Sequence, residues 1–118
     1  MDLYALDVIM RDLTPHQIKI LEVLYNANGG WLSRAETARE LGKKRMTPYD
    51  IKCLSLLSDK QLIVTSTRPS TAPGSDFAYI YMMDDDIAQL LYEWARLRDK
   101  LGRVQSKQRE PLNLLSGD

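Results

Sequence analysis

The chain is short of the groups that carry covalent or metal chemistry. Cys53 is its only cysteine, so no disulfide can close within it, and a reducing cytoplasm is the expected compartment. His16 is its only histidine, and no second imidazole or thiolate is available to complete a zinc site, so no metal is expected. A glycine-rich phosphate loop is missing too. No catalytic constellation, and hence no enzyme activity and no cofactor, is expected from such a set. Apolar runs stay well below the ~20 residues that span a bilayer. The first residues lack a basic stretch leading into an apolar one, so neither a membrane partner nor a signal peptide is expected. Net charge is absent as well, with 16 basic and 16 acidic side chains.

What is present is patterned. A hydrophobic fraction of 44% over 118 residues supports the core of one domain plus a terminal accessory helix. The charges are unevenly spread. Residues 34–68 hold eight basic and four acidic side chains, while residues 69–86 carry a surplus of four negative charges. A local positive surplus of this kind is where phosphate contacts are expected.

Three helix starts share one grammar. Thr14, Pro15 and Gln17 form the first, Ser33 and Glu36 the second, and Thr47, Pro48 and Asp50 the third. Behind the first, Ile18, Leu21, Leu24 and Tyr25 recur at helical spacing until the Asn26–Gly30 run ends the helix. Trp31 and Leu32 form a short extended piece. The second helix has the narrow face Ala35, Ala38 and Leu41 and stops at Gly42. After the turn Lys43-Lys44-Arg45-Met46 comes a third helix over residues 47–60, with Ile51, Leu54 and Leu57 inward. Residues 62–66 and 77–82 are β-branched and aromatic, hence strands, and the proline- and glycine-bearing stretch between them is a hairpin loop. Asp84, Asp85 and Asp86 cap a last helix striped by Ile87, Leu90, Leu91, Trp94, Leu97, Leu101 and Val104.

The expected fold is mainly α with a small antiparallel β-hairpin, a winged helix-turn-helix plus a C-terminal helix. Its divisions are an N-terminal packing segment over 1–12, the winged domain over 13–83, the C-terminal helix over 84–108 and a tail over 109–118. The first segment is expected to be a short helix or strand packed on the body or on a second subunit.

The run Leu13-Thr14-x-x-Gln17-x-x-Ile20-Leu21, followed by Gly29-Gly30-Trp31-Leu32-Ser33, then Ala35-Glu36-x-Ala38-x-x-Leu41-Gly42 and Leu57-Ser58-Asp59-Lys60-Gln61-Leu62-Ile63, resembles the MarR-type winged-helix transcription regulators. PadR-like regulators share the same grammar and often add a C-terminal dimerisation helix. The resemblance implies a DNA-binding transcription regulator.

On the third helix, the helical step turns Tyr49, Lys52, Ser55, Leu56 and Asp59 outward. Tyr49, Lys52 and Ser55, with Thr47 at the helix start, are the candidate contacts to phosphates and base edges. Leu56 is expected to pack on a neighbouring element. Lys43, Lys44 and Arg45 in the turn, with Arg34 nearby, are placed to border a phosphate row. Arg68 is the wing cation. The equally bland reading of these residues is a solvated helix face, a basic turn and a loose loop. His16 is expected to be exposed, and Cys53 to be a small core residue. The C-terminal stripe either folds back on its own domain or pairs with a second copy. Pairing is favoured, with Ile87, Leu90, Leu91, Trp94, Leu97 and Leu101 as the interface. The partners expected are therefore double-stranded DNA and the chain itself, in a homodimeric repressor with the 47–60 helix in the major groove and the wing, residues 64–82, on flanking backbone. No small-molecule effector is indicated. Two alternatives stand beside this reading: a winged-helix module that binds protein, favoured by zero net charge, Leu56 and Asp59, and an accessory DNA-binding protein of replication, partition or mobile elements.

Overall fold

The computed structural model describes residues 1–71 and 73–102, the last four by backbone alone. The N-terminal segment is a helix, α1 (Leu3–Asp12). Asp2 caps it by accepting from the Ala5 N–H at 2.8 Å, and Leu6 and Met10, one turn apart, are its buried positions. α2 (Pro15–Asn26) starts at the Thr14/Gln17 capping box and buries Ile20, Leu21 and Leu24. It ends where Asn28 and Gly29 take positive φ.

β1 (Leu32–Ser33) leads directly into α3 (Arg34–Glu40), which Ser33 and Glu36 cap reciprocally. Gly42, at φ 80°, lets the chain reverse so that the Gly42 and Lys43 N–H groups close on the Arg39 and Ala38 carbonyls. α4 (Pro48–Asp59) follows, with Thr47 as its cap. Gln61 ends it in the left-handed region at φ 66°, a conformation that costs a non-glycine residue about 1 kcal/mol. The reversal is held by the Leu62 N–H bonding the Leu57 carbonyl.

β2 (Val64–Pro69) and β3 (Phe77–Met82) form an antiparallel hairpin in register from Val64↔Met82 to Pro69↔Phe77. The first strand lies later than the 62–66 expected. Leu62 and Ile63 look strand-like but are spent on the core, and the ladder starts only after them. It then continues through Thr67–Pro69, which the sequence assigns to the loop. Pro69 is tolerated because it ends an edge strand. β1 joins the other side of β3 to give the order β1-β3-β2. The short extended piece thus ties α3 to the hairpin.

α5 (Asp85–Gly102) opens with the Asp84 carboxylate accepting from the Ile87 N–H. It lies against α1, with the Trp94 indole N–H donating to Asp7 at 2.9 Å. That bond, then the one from Arg11, holds the Asp7 carboxyl below its ordinary range. One core joins α1, α2, α4, the sheet and α5 through Leu6, Met10, Leu21, Leu54, Leu57, Tyr81, Leu91 and Ala95. No helix among the described residues is long and apolar enough to cross a membrane.

The C-terminal stripe corrects one expectation. Leu91 is sealed within the single chain at 0% exposure, and Ile87, Leu90 and Trp94 pack on the same core, so Leu91 has no surface left for a second copy. The physical reason is that α1, read as an undecided segment, supplies the apolar face that α5 needs. Leu97 points the other way and is 50% exposed. The Leu101 side chain and residues 103–118, Val104 and the tail among them, fall outside the described residues.

Candidate nucleic-acid interface

The start of α4 is built around one buried carboxylate. Asp50, fully buried, accepts from the Thr47 N–H at 2.9 Å and from Lys43 Nζ at 2.7 Å, both on Oδ2. Its Oδ1 lies 2.6 Å from His16 Nε2, on α2. Burial by itself would raise the Asp50 pKa, but the bonds from Lys43, from the Thr47 backbone and from His16 outweigh it and hold the carboxyl well below the usual carboxylate range. Asp50 therefore clamps three elements, α2, the turn and α4, at one point. The sequence reading saw Asp50 only as a helix cap and expected His16 to be exposed. His16 is half-buried instead, and its ring stacks on Tyr49 at 5.4 Å between centroids. Local spacing carries no signal for a contact across 34 positions. The one local hint was Lys43, four residues ahead of the Thr47/Asp50 capping box and within reach of its acid.

The outer face of α4 matches the expectation in part. Tyr49, Lys52, Ser55 and Asp59 are exposed. Leu56 is half-buried against the core, as its bland reading has it. Ile51 is only half-buried, and the inward row is Asp50, Cys53, Leu54 and Leu57. Burial pushes the Cys53 thiol up, which keeps it protonated and unreactive.

The expected cations divide into two groups. Lys44, Arg45 and Lys52 are exposed and make no ion pair among the described residues. Lys43, Arg34 and Arg68 have partners of their own. Lys43 neutralises Asp50. The Arg34 guanidinium lies 4.5 Å from the Tyr79 ring centroid, and its Nε–H donates to the Tyr81 hydroxyl at 2.9 Å. Arg68 reaches Glu36 at 3.5 Å across a half-exposed gap, a pair weak enough for a phosphate to displace. Thr47 likewise spends its hydroxyl on the Asp50 N–H.

Between the α3 start and the wing lies an open groove of about 840 Å³, lined by Ser33, Arg34, Arg68, Pro69, Phe77 and Tyr79 among others. Phe77 and Tyr79 meet edge to face at 5.3 Å and are both exposed. Every residue of β2 is exposed. The arrangement is thus an exposed helix start, with three cations that make no ion pair among the described residues, flanked by a hairpin bearing one loosely paired arginine.

No family model matches this chain, and no curated protein does. Solved structures do. A MepR point mutant from a multidrug-resistant S. aureus clinical isolate aligns at a TM-score of 0.56 with 19% identity, over 84% of this chain and 68% of that one. A possible transcriptional regulator from Methanosarcina mazei Go1 aligns at 0.55 with 21% identity, over 81% of this chain and 84% of that one. A double mutant of Lactococcus lactis ZitR aligns at 0.52 with 20% identity, over 75% of this chain, which spans 54% of the ZitR chain. At these identities the likeness is one of fold. The chain has a winged-helix fold, mainly α with a small antiparallel sheet, as its element order predicts.

Proposed function

We propose that this chain is a double-stranded-DNA-binding transcription regulator of MarR-like type, acting in the cytoplasm as a homodimer. The observation that carries the reading is the exposed start of α4, where Lys44, Arg45 and Lys52 make no ion pair among the described residues and surround Tyr49 and Ser55. α4 enters the major groove with Tyr49, Lys52 and Ser55 toward base edges and phosphates, and Lys44 and Arg45 border the backbone. The wing lies along flanking backbone, where a phosphate takes Arg68 from Glu36. Lys43 and Arg34 act indirectly, one by holding α4 and the other by bracing the wing. One of the solved counterparts is described as a possible transcriptional regulator, which supports the same reading. Repression follows from occupancy of an inverted-repeat operator.

A gel shift with random-sequence duplex tests the DNA contact. Affinity is expected to fall steeply with salt. Lys44→Ala with Arg45→Ala is expected to weaken binding to all sequences, by about tenfold, and to flatten the salt slope by about two units per chain. Absence of binding at any salt favours a protein-interaction module instead. Selection from a random pool separates a regulator, which recovers a palindrome, from an accessory DNA-binding protein.

For the homodimer, the face left over after α5 has docked on α1 is the candidate. Tyr4 is 78% exposed, Val8 46% and Leu97 50%. Such large apolar side chains on a helix pair mark a contact surface. Leu97→Asp is expected to halve the sedimenting mass while leaving the melting of the single chain within about 0.5 kcal/mol of wild type. An unaltered mass removes Leu97 from the interface.

A further inference from the structure

Histidine is the side chain that ordinarily changes charge between about pH 5 and pH 8, and His16 is the only one in the chain. Its ring stacks on Tyr49, in the first turn of α4, so it occupies the end of the molecule proposed to approach DNA. Asp50 is ionised, since Lys43 and the Thr47 N–H already donate to Oδ2. Oδ1 therefore also accepts, and the proton of a neutral His16 ring sits on Nε2. That leaves a lone pair on Nδ1, which has no hydrogen-bond partner among the described residues. The side chain is 30% exposed. The titratable groups that face the ring are Asp50 and Tyr49 from α4 and, across the carboxylate, Lys43 from the turn, with Cys53 one turn farther along α4.

Two charge states follow from this geometry. With His16 neutral, Lys43 and Asp50 cancel, and the Nδ1 lone pair repels a phosphate oxygen. With His16 protonated, the cluster gains one positive charge and Nδ1–H becomes a charged donor, linked through Asp50 to Lys43 in the turn that also carries Lys44 and Arg45. The Nε2–H bond to Asp50 is kept in both states, so the ring is oriented before DNA arrives.

We propose that His16 is a proton-gated phosphate contact: Nε2–H stays on Asp50 while a proton taken up at Nδ1 supplies a charged donor to the duplex backbone, so that DNA binding tightens as pH falls. This rests on the DNA-binding reading above and adds a residue and a regulation to it.

The test is anisotropy of a labelled random-sequence duplex, at fixed ionic strength, from about pH 8 to about pH 5.5. The wild-type Kd is expected to fall about fivefold, with the salt slope steeper by about one unit per chain at the acid end. His16→Gln, whose amide is chosen to donate to Asp50 in place of Nε2–H, is expected to lose the pH response whatever its absolute affinity, its Kd staying within about twofold from about pH 8 to about pH 5.5. A wild-type Kd that does not change with pH overturns the proposal, as does a pH response that survives in His16→Gln. Should that variant not fold, calorimetry of the wild type in two buffers of different ionisation enthalpy reads the same step. Net proton uptake on binding is expected, and zero uptake refutes it. Failure to bind duplex at any pH or salt refutes the DNA-binding reading, and the proposal with it, which is a different result from binding without proton uptake.

Discussion

Asp50→Ala is expected to destabilise the domain by about 3 kcal/mol and to abolish duplex binding. The carboxylate is fully buried and accepts from the Lys43 ammonium, the Thr47 N–H and His16 Nε2. Removing it takes the acceptor from the N–H of the cap residue Thr47 and deletes half of a capping box. Lys43 is one-third exposed and can turn to water, which keeps the loss at the lower end for a broken buried pair. The pH dependence has a definite sign. Asp50 has its pKa depressed in the folded state, so its charge stabilises the fold fully above the unfolded value, near ~4, and loses that effect as pH falls towards the folded value. The gap between wild type and Asp50→Ala in urea melts should therefore be full at neutral pH and close in strong acid. A gap that widens on acidification would contradict the assignment. Asp50→Asn, which keeps an acceptor for the Thr47 N–H but not the charge, should lose less. DNA binding should fail in Asp50→Ala even where the fold persists, because the clamp sets the angle at which α4 leaves the turn.

Leu91→Ala should cost about 3 kcal/mol, with an unfolding midpoint independent of protein concentration apart from any shared dimer effect. Leu91 is closed off inside one chain at the seam of α5 with the core, in the same cluster as Leu6, Met10 and Ala95. Deleting its isobutyl group leaves a cavity that the surrounding helices cannot collapse to fill. The contrast with Leu97→Asp is diagnostic. The inner position governs how firmly α5 is docked, and the outer one is the position proposed to act in assembly. If Leu91→Ala instead left stability intact and changed only the sedimenting mass, α5 would be pairing between copies and its packing on α1 would be wrong.

These two positions show how far the sequence reaches. Thr14, Ser33 and Thr47 each announce a helix start, because a cap and its partner three residues on are a local device that needs no tertiary help. The stops at Gly42 and after Asn26 are equally local, since they depend only on which residues accept the left-handed region. The hairpin was legible in its aromatic and β-branched residues. Its boundary was not, because Leu62 and Ile63 suit a strand and a core equally well and only the ladder with β3 decides between them.

Sequence alone determined the order of elements from α2 onward, the winged-helix fold and four of the five outward residues expected on α4, all of which follow from backbone preference and apolar period over a few neighbouring residues. The tertiary structure decided which cations remain free, that His16 meets Asp50, and which side of α5 is spoken for by α1. The last two of these turn on pairs 34 and 87 positions apart. Such pairs leave no periodic trace, because a buried charge chooses its partner by distance after folding and not by spacing along the chain.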